Sequence, residues 1–74
     1  MIFETIKKII IDIFDEEEER ITLETHLAGD LGLDHMDMVD LIVEVETAFD
    51  VVIPDEDVEQ FETVADIVNY LEMH

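Results

Sequence analysis

In the first segment of the chain the apolar residues Ile2, Phe3, Ile6, Ile9, Ile10, Ile13 and Phe14 fall on one broad face at helical spacing, with Glu4, Lys8 and Asp12 opposite. That spacing predicts an amphipathic helix, with Ile11 on its wetter side. Such a helix has to bury its stripe against another element, and the chain supplies further candidates. Asp34 is a good N-cap for a helix over about 35–49, which ends before Asp50 and the short apolar run Val51, Val52, Ile53 closed by Pro54. Asp55 caps a short third helix through about Gln60. Thr63 heads T-x-x-D with Asp66, a variant of the capping box, and Val64, Ile67, Val68 and Leu71 form the inner face of the last helix. Three longer helices, one short third helix and a long first loop make an all-α four-helix bundle. No repeat, linker or break in composition divides it, so residues 1–74 read as a single domain.

The connecting segments differ in kind. Asp15 to Glu19 are all acids, followed by Arg20, and read as a solvated turn. The stretch 21–34 holds both glycines and little periodicity. It reads as a loop pinned to the core by Leu23, Leu27, Leu31 and Leu33. A loop this long in a chain of 74 residues points to function. A chain of this size buries about 60% of the surface its unfolded form exposes, so its apolar residues have to be well used.

Charge restricts the partners. Aspartate and glutamate total 22 against three bases, Lys7, Lys8 and Arg20, a formal charge of −19. Nucleic acid is excluded as a ligand because its phosphates are bound by clustered Lys and Arg. Basic protein surfaces are the natural partners. The apolar content of 49%, with its clear periodicity, argues for a folded chain rather than an acidic disordered one. There is no cysteine, so thiolate metal sites and thiol catalysis are excluded. Charges interrupt the apolar N-terminus too often for a bilayer-length stretch, so no membrane insertion and a soluble, cytoplasmic protein are expected. Carboxylates are abundant, but the spacing of a calcium-binding loop is lacking and no specific metal site is expected.

The segment 35–49 carries the most information. Turned at about 100° per residue, one face gathers Met38, Leu41, Ile42, Val45, Ala48 and Phe49 as ordinary core. A second, narrower stripe consists of Met36, Val39 and Val43, flanked by Asp40 and Thr47 on one side and His35 and Glu46 on the other. A bundle helix needs only one buried face. Either this stripe packs under the short third helix, or it is an exposed strip framed by carboxylates, suited to partners with an apolar hollow ringed by Arg and Lys.

The run Asp30-Leu31-Gly32-Leu33-Asp34-His35-Met36-Asp37-Met38-Val39-Asp40-Leu41 resembles the signature of acyl carrier proteins, in which D-L-G-x-D-S-L-D precedes a helix of this type. The resemblance continues through Phe49-Asp50, Ile53-Pro54-Asp55-Glu56, Thr63-Val64 and Tyr70-Leu71, and so covers nearly the whole chain. It implies the family's four-helix bundle with the second helix as recognition helix. It also implies a 4′-phosphopantetheine arm on the serine after the aspartate, a role in fatty acid or polyketide-type biosynthesis and no enzyme activity of the chain's own. The partners implied are basic surfaces of acyl-processing enzymes and a phosphopantetheinyl transferase, met by a monomer. By resemblance Asp34, Met36 and Asp37 flank the attachment position. Met36, Val39, Asp40, Val43 and Glu46 dock partners, while Val45, Ile53, Val58 and Ala65 border an acyl pocket.

At the attachment position this chain has His35, and it contains no serine anywhere. An imidazole is not a hydroxyl, and the family's phosphodiester cannot form on it. Three readings stay open: His35 is a deliberate substitution or stands where a different residue is encoded, the chain is a carrier-like interaction or regulatory module without an arm, or the imidazole has a chemistry of its own. The last lacks any evident second catalytic group, since His26 lies in a loop of unknown proximity.

Crowded like charge destabilises the compact state. Millimolar magnesium is therefore expected to raise the melting temperature at neutral pH and low salt, and a melting curve that does not move on adding it would count against this account.

Overall fold

Burial of Ile6 and Ile10 to zero exposure shows which edge of the first helix faces inward. The computed structural model describes residues 2–73. They form α1 (Ile2–Phe14), a short 3-10 turn (Glu18–Arg20), α2 (His35–Phe49), α3 (Asp55–Val58) and α4 (Val64–Met73). Among these residues there is no β-strand, and an isolated antiparallel bridge joins His26 to Thr63. The expected all-α bundle, with three longer helices and a short third one, is what the chain adopts. Among the described residues no helix is long and apolar enough to cross a membrane.

Helix α1 packs against both α2 and α4. Between them lie Leu41, Ile42 and Val45 of α2 and Val64, Ile67, Val68 and Leu71 of α4, all buried. Each such side chain contributes about 1.5–3 kcal/mol by leaving water. Helical periodicity predicted this set, with two exceptions. Ile11 packs against the core instead of facing water, and Ala48, expected inside, is exposed. A face on a wheel is an angle, whereas burial also needs a neighbour, and none covers the small Ala48 side chain.

The long loop is pinned differently from the expected pattern. Leu27 and Leu33 are buried, but Leu23 is 39% exposed and its place is taken by Ile21 and Thr25. The Thr25 hydroxyl donates to the Arg20 carbonyl at 2.8 Å and accepts from the Thr22 N–H at 2.8 Å. The main chain of Leu23 has a task that its side chain does not reveal. Its carbonyl accepts from the Ala65 N–H at 2.9 Å, and that of Thr25 accepts from the Val64 N–H at 3.0 Å. These N–H groups open α4 and have no partner inside the helix. Leu27 N–H in turn donates to the Glu62 carbonyl at 2.9 Å. The loop thus serves as the cap of α4.

Helix ends follow local chemistry. Asp50 closes α2 in the left-handed conformation at φ 55°, ψ 49°, a position that usually goes to glycine or asparagine. Pro54, not Asp55, occupies the N-cap of α3, and Asp55 is its first helical residue. Proline suits this junction because its fixed φ is compatible with a helix start. This short helix is tied to α4 by the Tyr70 hydroxyl, which donates to Asp57 at 3.0 Å, and the segment after it by an edge-on contact of the Phe61 and Tyr70 rings at 5.5 Å. Burial, followed by the hydrogen bond to Asp57 and that residue's charge, pushes the Tyr70 phenol upward.

The Thr63–Asp66 cap forms as read. Asp66 accepts from the N–H groups of Glu62 at 2.8 Å and Thr63 at 3.0 Å. Those two donors, Glu62 first, hold its carboxyl below the ordinary value of 3.8 against an opposing effect of burial. A depressed carboxylate stabilises fully above its unfolded value and loses that contribution as pH falls through the folded one. Asp66→Ala should lower stability by about 1 kcal/mol at neutral pH. In urea unfolding the difference from the unaltered chain should vanish once pH drops below the folded value of Asp66, and a gap independent of pH would refute the assignment.

Candidate functional site

The start of α2 is built by two turns of backbone logic. Gly32 takes φ 71°, which brings the loop round to Asp34. Asp34 then closes a reciprocal capping box: its Oδ1 accepts from the Asp37 N–H at 2.8 Å, and Asp37 Oδ2 accepts from the Asp34 N–H at 3.1 Å. His35, the first residue of the helix, lies between these acids with its side chain exposed. Both flanking carboxylates act as caps.

Beyond His35 the second stripe of α2 is open to water rather than packed under the short third helix. Met36 is 67% exposed, Val39 42% and Val43 51%. Asp40 stands exposed beside them. Thr47 turns its hydroxyl back to the Val43 carbonyl at 3.0 Å. Glu46 differs from the expected free acid at the rim: half-buried, it accepts the Ile53 N–H on Oε2 at 2.7 Å.

Under this stripe α2 and α3 stand apart. A cleft of about 490 Å³ is lined by His35, Met38, Val39, Asp55, Val58, Glu59 and Phe61. Met38 and Phe61 also border a neighbouring hollow of about 290 Å³ that reaches His26 and Gly29. A third, of about 130 Å³, is lined by Val39, Ile42, Val43, Glu46, Ile53, Asp55 and Val58. Of the residues expected at an acyl pocket, Ile53 and Val58 line this last hollow. Val45 is fully enclosed in the core, and Ala65 is half-buried at the start of α4. Sequence reasoning missed Met38, Phe61 and Glu59 as lining residues. Met38 lies on the core face of the wheel, and its partial opening depends on how far α3 stands off, which no spacing encodes.

Hydroxyl chemistry is lacking at this position. The remaining hydroxyl on α2 belongs to Thr47, about 18 Å along the axis from His35 at 1.5 Å per residue, and it is already bonded to the helix. The residues present therefore do not fit an arm attached through a phosphodiester. Among the described residues no group of three His, Asp or Glu side chains is placed to hold a metal ion. Exchanging His35 for serine leaves both caps in place, so His35→Ser should change unfolding free energy by less than about 0.5 kcal/mol. Asp34→Ala, which removes a cap, should cost about 1 kcal/mol in the same denaturant titration.

Comparison with known proteins agrees with the fold, while position 35 departs from the family's attachment residue. Residues 4–71 match the family described as phosphopantetheine attachment site. The chain is 43% identical over 72 residues to an acyl carrier protein of Clostridium perfringens, covering 97% of this chain and 95% of that protein. It is 40% identical over 74 residues to the acyl carrier protein of Clostridium acetobutylicum, covering 100% and 96%. A solved Mycobacterium tuberculosis structure described as an acyl carrier protein superposes with a TM-score of 0.91 at 30% identity, covering 99% of this chain and 97% of that one.

Proposed function

Because this chain belongs to the acyl carrier protein family, whose prosthetic group is 4′-phosphopantetheine and whose members are carriers rather than enzymes, we propose that it is a docking protein for acyl-processing enzymes that carries no covalent cargo. Its site is the exposed stripe Met36, Val39 and Val43 with Asp40 beside it. Its partners are basic enzyme surfaces in fatty acid or polyketide-type biosynthesis, in the cytoplasm. The observation that carries this reading is the combination of an exposed apolar stripe on α2 with an imidazole at position 35. Opposite charge speeds encounter while the small apolar strip limits affinity, so docking is fast, weak and sensitive to salt.

The deciding measurement is intact mass after incubation with coenzyme A and a broad phosphopantetheinyl transferase. The chain with His35 should keep its mass, and His35→Ser should gain one arm. A gain by the unaltered chain would overturn the cargo-free reading and restore an ordinary carrier. Failure of His35→Ser to gain an arm would show that the surrounding face is not recognised by that enzyme.

A further inference from the structure

Gly29 is a glycine that the backbone does not require. Gly32 sits in the left-handed region at φ 71°, but Gly29 does not, and a Cβ added to Gly29 would meet the His26 Cβ at 3.5 Å, an ordinary contact. Its missing side chain instead leaves space, because Ala28 and Gly29 both line the hollow of about 290 Å³ between the first loop and the connection from α3 to α4. The two sides of that hollow are fixed to each other. Leu27 N–H donates to the Glu62 carbonyl at 2.9 Å, and His26 bridges to Thr63. Its apolar wall is Leu27, Met38 and Phe61, and its polar groups belong to His26 and Glu62. Asp30 and Asp66 spend their carboxylates on backbone N–H groups of this region, whereas the Glu62 carboxylate is bonded to no described residue. No lysine or arginine lines the hollow.

We infer that this hollow binds a small arylalkylammonium ion without any covalent bond, the ring against Leu27, Met38 and Phe61 and the ammonium on Glu62. The reading is independent of what docks on α2. Its volume lies near the lower end for small-molecule sites, about 300 Å³, which suits a ligand of one ring. The wall favours an aromatic group over an alkyl chain, because a phenyl ring takes an edge-on partner and a thioether packs well against a ring. Charge selects the other end of the ligand. A carboxylate or phosphate would enter a field set by a net charge of −19 with no cation in the lining to receive it, whereas an ammonium meets the free Glu62 carboxylate in a charge-assisted hydrogen bond.

The test is an NMR titration at neutral pH and low salt with 2-phenylethylamine, following the amides of residues 26–29 and 61–62 and the Met38 methyl group. These resonances should shift and saturate together. Ethylamine, which has the charge without the ring, and 3-phenylpropionate, which has the ring with the opposite charge, should each bind at least about tenfold more weakly. Gly29→Leu puts a side chain into the space without straining the backbone and should weaken 2-phenylethylamine at least about tenfold, while Glu62→Gln, at an exposed charge pair, should weaken it up to about fivefold. Phe61→Leu keeps apolar bulk but removes the ring, and should weaken binding about threefold or more, which holds the test open if Gly29→Leu disturbs the amide spectrum of the core. Shifts that never saturate, that centre on other residues, or that ethylamine reproduces at equal concentration would overturn the site and leave only attraction of cations to an acidic surface. Unchanged affinity in both Gly29→Leu and Phe61→Leu would overturn it as well.

Discussion

The carbonyls of Leu23 and Thr25 fill the open N–H groups at the start of α4, and the rest of the structure depends on that pairing. It anchors a long loop without regular structure to the C-terminal helix. The loop then turns Ile21, Leu27 and Leu33 inward and delivers Gly32 and Asp34 to the point where α2 begins. Without it the bundle would have to leave helix donors unsatisfied at one end and a floating loop at the other, each a cost comparable to a lost hydrogen bond.

Electrostatics shapes the surface more than it holds the fold. Lys7 lies within 3.5 Å of Glu18 and 3.8 Å of Glu4 and rests over the Phe3 ring. Arg20 pairs with Glu16 at 2.9 Å and donates to the Asp30 carbonyl, which ties the acidic turn to the end of the loop. Exposed pairs of this kind contribute about 0–1 kcal/mol each. They are set against a net charge of −19, most of which remains available to attract a basic partner.

The site shows how capping and recognition share residues. Asp34 and Asp37 order the first turn of α2, and by doing so present His35, Met36 and Val39 on a rigid element. Glu46 likewise combines a place on the rim with a bond that shapes the next loop. Three acids that resemblance assigns to recognition, Asp34, Asp37 and Glu46, are in the folded chain already engaged with the backbone.

Much of this was legible in the chain itself. Ile6, Ile10, Leu41, Ile42, Val45, Ile67 and Leu71 announce their burial by helical spacing, Asp34 and Thr63 announce helix starts, and the run from Asp30 to Leu41 announces the family. These are local features, fixed by the pitch of a helix and by the donors left open at its ends. Tertiary structure alone decided that Ile21 replaces Leu23 in the core, that Ala48 faces water, that Met38 and Phe61 border a cleft, and that Glu46 holds Ile53. Each of those depends on how far apart two elements come to rest, a distance set by packing between residues remote in sequence and by main-chain bonds that carry no side-chain signature.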